Sequence, residues 1–133
     1  MRIQTNGSVA STELSGEHFT GVVWSDPIME SPDPARLRAL VVRIEPGART
    51  NWHAHPLGQT LHVLSGSGLV QCWGEPAREI NPGDVVWIEP GEKHWHGAAP
   101  NNLMSHLALQ EALEGVSIEW REPVSDSQYR GSS

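Results

Sequence analysis

Gly47-Ala-Arg-Thr-Asn-Trp-His53-Ala-His55-Pro-Leu-Gly-Gln59-Thr-Leu-His-Val-Leu-Ser-Gly66 decides how the rest of this chain is read. Side chains of an extended strand alternate between its two faces, so His53 and His55 share a face. Gln59 follows at an even offset and joins that face if the turn at Pro56-Leu57-Gly58 keeps the register. A third histidine, His94, follows another strand punctuated by Gly and Pro. Three imidazoles and one amide oxygen can thus converge on a single divalent metal, with His53, His55, Gln59 and His94 as the candidate ligands.

The flanking sequence reads as short strands. Arg36–Glu45 places Leu40, Val42 and Ile44 on one face and Leu37, Ala39 and Val41 on the other. A strand apolar on both faces lies between a barrel interior and a second layer. Further strands are expected at Phe19–Trp24, Thr60–Leu64, Leu69–Trp73, Ala77–Ile80, Val85–Ile88, His94–Gly97, Leu103–Gln110 and Val116–Trp120. Gly and Pro mark the turns between them, as at Asn81-Pro82-Gly83-Asp84 and Glu89-Pro90-Gly91-Glu92. Closely spaced short strands without a long amphipathic helix predict an all-β sandwich or small barrel. One domain spanning 1–133 is expected, with residues 1–17 a loose arm or edge strand. Residues 123–133 read as a polar tail that holds a short helix beginning at Ser125.

Composition narrows the function classes. A formal charge of −7 argues against nucleic acid and anionic membrane surfaces as partners. No apolar run is long enough to span a bilayer, and MRIQTNGSVAST lacks the apolar core of a secretory signal. The single cysteine, Cys72, precludes an intrachain disulfide and fits a reducing, cytoplasmic setting. His62 has odd parity with Gln59 and is expected to point away from the ligands, and His18 is expected to be exposed.

The phrases Gly47-x5-His53-x-His55-x3-Gln59-x6-Gly66 and Gly83-Asp-Val-Val-Trp-Ile-Glu-Pro90-Gly91-Glu-Lys-His94 resemble the two motifs of the cupin superfamily. The resemblance implies a jelly-roll β-barrel with a metal inside. Three positions depart from the usual pattern. Gln59 replaces an acidic ligand, Glu89 a proline, and Ala98 an asparagine. The same phrases, with His106-x3-Gln110-Glu111 downstream, are similar to small bacterial cupins that act as manganese-dependent (R)-hydroxynitrile lyases. That likeness implies Mn2+, with Fe2+, Ni2+ or Zn2+ also suited to the donors. It places His106 and Gln110 near the metal and implies cleavage of cyanohydrins such as mandelonitrile. It also implies a homodimer or homotetramer, for which Leu37, Ala39 and Val41 offer an apolar outer face.

Four neutral ligands leave the double charge of a divalent ion uncompensated, which makes it a strong Lewis acid with affinity for alkoxide, cyanide or carboxylate. His96 lies two residues past His94 and so also points inward, which makes His96 and His106 the two candidate bases. Leu40, Val42, Thr50 and Trp52 are the candidate substrate-lining residues. A cupin dioxygenase, isomerase or decarboxylase acting on a small carboxylic or aromatic compound remains a second reading, and a non-catalytic ligand-binding cupin a third.

Overall fold

The computed structural model describes residues 1–131. Thirteen short strands and one helical turn make up the regular structure of those residues. In chain order the strands are β1 (Thr12–Glu13), β2 (Phe19–Thr20), β3 (Val23–Pro27), β4 (Leu37–Ile44), β5 (Arg49–Thr50), β6 (His53–Ala54) and β7 (Gln59–Gly66). They continue with β8 (Gly68–Cys72), β9 (Arg78–Ile80), β10 (Val85–Ile88), β11 (His94–Ala98), β12 (Met104–Glu111) and β13 (Glu119–Trp120).

Two antiparallel sheets form, as the jelly-roll expectation requires. The first runs β1-β3-β4-β12-β7-β10. In the second, β11 is central, with β8 and then β9 on one side. On its other side lie β5 and β6, two halves of one strand interrupted at Asn51-Trp52. β2 pairs with β5, and β13 pairs with β6.

The inner face of the first sheet grades from apolar to polar. Val23, Ile44, Val63 and Met104 fill one end and are essentially inaccessible. Along β12 the inward positions then become His106, Ala108 and Gln110, and Gln110 lies opposite Gln59 of β7. Where this change begins, the register shifts between Ser105 and His106, with Leu64 of β7 as the extra residue of a bulge. The barrel is therefore packed at one end and carries its buried imidazoles and amides toward the other.

Three details differ from the sequence reading. The expected strand Phe19–Trp24 is divided at Gly21, whose φ is +83°. A side chain there would also collide with Ala48, since a Cβ would lie 2.7 Å from the Ala48 Cβ. The expected strand Val116–Trp120 pairs only at Glu119–Trp120, because a tight turn closes between Leu113 and Val116. The C-terminal segment forms the expected short helix, α1 (Asp126–Tyr129), capped by Ser125, which accepts a hydrogen bond from the Gln128 amide at 3.1 Å, but the segment is not simply a polar tail. Val124 and Tyr129 are buried, and the Tyr129 hydroxyl donates to the Ala98 carbonyl. Residues 132 and 133 of the expected tail lie outside the described residues. Among the described residues no helix is long and apolar enough to cross a membrane.

Candidate metal centre and cavity

His53 and His94 face each other across the β6–β11 pair, with ring centroids 4.2 Å apart. His55 lies beyond the end of β6, and its ring is 5.0 Å from His53 and 5.4 Å from His94. The turn at Pro56-Leu57-Gly58 returns the chain so that Gln59 opens β7. Gly58 is required there. Its φ is +82°, and a Cβ would lie 2.5 Å from the Trp87 ring. Gln59 is buried, with Oε1 3.2 Å from His94 Nε2. The structure thus brings His53, His55, Gln59 and His94 together.

The imidazole hydrogens explain how these rings are set. His53 Nδ1 donates to the Asn51 carbonyl at 2.9 Å, and His94 Nδ1 to the Glu92 carbonyl at 2.9 Å. Each ring folds back onto the carbonyl two residues upstream. His55 Nδ1 donates to the carbonyl of Ser117 at 2.7 Å, far along the chain. With Nδ1 protonated on all three, each Nε2 carries a lone pair. His55 Nε2 has no hydrogen-bond partner and is buried. At His94 a lone pair faces the Gln59 oxygen, two acceptors with no proton between them. The Gln59 amide is oriented by its Nε2, which donates to Gln110 Oε1 at 3.1 Å. A cation satisfies what these groups lack, so the residues fit a divalent metal.

His96 lies against the same group. The candidate ligand atoms of His53, His94 and His96 are within 4.8 Å of one another. His96 differs from the other three rings in that its Nδ1 meets His106 Nε2 at 3.1 Å rather than a carbonyl. Its Nε2 is buried without a partner, as is His106 Nδ1. The backbone-held Nδ1 atoms favour His53, His55 and His94 as ligands and leave the His96–His106 pair beside them.

Burial keeps every one of these rings neutral. Desolvation is the main cause, and neighbouring imidazoles reinforce it at His53 and His96, which are held well below the usual histidine value. His55 is lowered by burial against opposing hydrogen bonds. His94 and His106 are brought down to about 4, again by burial.

A cavity of about 300 Å³ opens beside the cluster, at the small end of the range for ligand sites, about 300–1,000 Å³. His53, Gln59, His96 and Gln110 form its polar side. Leu40, Val42 and Ala108 line it from the first sheet. Thr50 also reaches it, because the bend at Asn51-Trp52 restores Thr50 to the face of His53. Its hydroxyl accepts from the His96 amide at 3.3 Å.

Trp52 corrects the sequence reading. It does not line the cavity but is buried on the other side of the sheet with Trp95, Val124 and Tyr129. Adjacent to His53 in an extended chain, it must face the opposite way. His106 also lies behind the cavity rather than in its lining. His62 is exposed, as its parity implied. His18 is not simply exposed. It is half-buried and stacked on Trp120, and both line the cavity with Phe19 and Ile118. No periodicity or motif marked them, since they come from short segments near the two ends of the chain.

Two curved sheets, a buried histidine cluster and two matching motifs define the class. The chain belongs to the cupin family, whose domain model, described as "Cupin domain", matches residues 40–106. It is 55% identical over 130 residues to a protein of Granulicella tundricola named (R)-mandelonitrile lyase, covering 98% of this chain and 99% of that one. Among solved structures it is similar to a cupin-like protein of Thermotoga maritima, with a TM-score of 0.86, 38% identity and coverage of 91% and 92%. The polyketide cyclase RemF of Streptomyces resistomycificus shares the fold at a TM-score of 0.76 with 19% identity, over 98% and 91% of the two chains.

Proposed function

We propose that this chain is a metal-dependent hydroxynitrile lyase that cleaves a cyanohydrin such as mandelonitrile, reversibly, to an aldehyde and HCN. The observation that carries this reading is one small cavity with a neutral imidazole and amide cluster on one side and an aliphatic wall on the other. The name of the 55% identical relative supports it. A divalent ion held by His53, His55, His94 and Gln59, Mn2+ in this reading, would supply Lewis acidity toward the substrate hydroxyl.

The chain's own residues do the remainder. Leu40, Val42 and Ala108 receive the organic group and keep water from it. When His96 Nδ1–H donates to His106 Nε2, His96 Nε2 offers its lone pair to the cavity. It takes the hydroxyl proton there, and His106 can accept the Nδ1 proton from the other side of the ring. The freed oxygen electron pair forms the carbonyl. The C–CN bond breaks with its electrons on cyanide, and cyanide takes the proton back as HCN. Gln110 acts by fixing the Gln59 amide. The presence of a single cysteine, Cys72, fits the cytoplasmic location we propose.

The test is elemental analysis of the purified protein coupled to cyanide release from racemic mandelonitrile, before and after chelation. About one manganese per chain with chelator-sensitive release is expected. Bound metal with no release would overturn the lyase reading, and no metal under any loading would overturn the ligand assignment.

A further inference from the structure

The second sheet has a gap beside the cavity. β2 and β13 pair with successive halves of the broken strand, β5 and β6, rather than with each other. The break is at Asn51, which is buried. Its amide N–H donates to the His18 carbonyl at 2.9 Å. Its side-chain Nδ2 donates to the Glu17 carbonyl at 3.2 Å and to the Arg121 carbonyl at 3.2 Å. A side-chain amide carries two hydrogens on one nitrogen, and here each is used on a segment from a different end of the chain. Asn51 is therefore the tie across the gap.

What it ties is an aromatic wall. The His18 and Trp120 rings lie 4.5 Å apart at an angle of 6°. Phe19 meets Trp120 edge-on at 5.3 Å, and Trp120 leans on His53 at 5.0 Å. These rings face the aliphatic side chains of the first sheet across the cavity. A planar ring placed between them keeps the stacked and edge-to-face contacts that aromatic groups favour.

We propose that His18 and Trp120 form the wall that selects an aryl substituent, and that Asn51 is the positioning residue that holds this wall in place. The proposal deepens the lyase reading and rests on it for the identity of the substrate.

The test compares benzoate with cyclohexanecarboxylate by titration calorimetry on the protein as purified. The two probes share a carboxylate and differ in the ring. Wild type is expected to prefer benzoate roughly fivefold, the size of one aromatic pair. His18→Ala and Asn51→Asp should each bring the ratio close to one. Their affinity for Co2+, followed by visible absorption, should stay within about threefold of wild type, because the Asn51 carbonyl that holds His53 is unchanged. Circular dichroism verifies folding, and His18→Ala, at a half-buried position, carries the test if Asn51→Asp does not fold. A preserved ratio in folded variants overturns the proposal, as does a wild type without preference. A joint loss of both probes and Co2+ also overturns it, since Asn51 would then act on the metal site alone. If cyanide release is absent while the benzoate preference behaves as expected, the lyase reading fails and the wall stands.

Discussion

His96 and His106 sit in one hydrogen-bonded pair, yet only His96 reaches the cavity. Replacing His106 with alanine removes the acceptor for His96 Nδ1–H. With metal content unchanged, kcat for cyanide release should fall about 100-fold or more, the range of general acid–base catalysis. Retained turnover would exclude His106 from the proton path. Gln110 is expected to act differently. Gln110→Leu leaves the Gln59 amide without its orienting acceptor. The metal affinity measured by competition with a chelator should then weaken about 10- to 100-fold, the cost of losing an orienting partner.

α1 is a single turn, but it closes the molecule where β5 and β11 pack. The Arg49 guanidinium is buried, donates to the Val124 carbonyl at 2.8 Å and lies 4.6 Å from the Tyr129 ring centroid. It also pairs with Asp126, whose carboxyl it holds below the usual aspartate range. Tyr129→Ala should lower unfolding free energy by about 3 kcal/mol, as for other buried aromatics. Thermal denaturation measures this, and an unchanged Tm would show that α1 does not brace the barrel. This element also marks where reading from sequence stops. Strands β4, β10 and β12 were evident because Leu, Val and Ile alternate or run continuously there. The gathering of His53, His55 and His94 was evident because they have fixed spacing and parity. Leu40, Val42 and Thr50 of the cavity lining were evident too, but its aromatic wall was not. His18, Phe19 and Trp120 belong to two-residue pairings too short for any period, and Asn51 acts through hydrogen bonds to distant carbonyls that leave no pattern in the chain.

The molecule buries five of its seven histidines, His53, His55, His94, His96 and His106, and this sets its response to acid. In the unfolded chain they protonate near 6.5, whereas folded His94 and His106 do so at about 4. Between those values the unfolded state binds more protons, so stability falls as pH drops through that window and is unaffected above it. The slope is about 1.4 kcal/mol per pH unit for each such histidine. Metal-free protein should therefore show a Tm that is flat above pH 7 and declines steadily below 6.5. A Tm independent of pH across that range would refute the neutral cluster. The outer face of the first sheet is the second whole-molecule property. Leu37 and Leu64 are exposed there, Ala39, Val41, Leu107 and Leu109 are half-buried, and Val85 and Trp87 are exposed on the edge strand. We expect two copies to pair through this face, by light scattering, and Val41→Arg to give monomers. A monomeric wild type would contradict the pairing.

The Ser117 carbonyl that holds His55 lies 62 residues downstream of it, whereas His53 and His94 are held by their own neighbourhoods. Two of the three imidazoles are thus oriented from within their own segments, and the third depends on a residue far along the chain. Any change that displaces residue 117 would leave His55 Nδ1 without its acceptor and free the ring to turn its Nε2 out of the cluster, while His53 and His94 keep theirs.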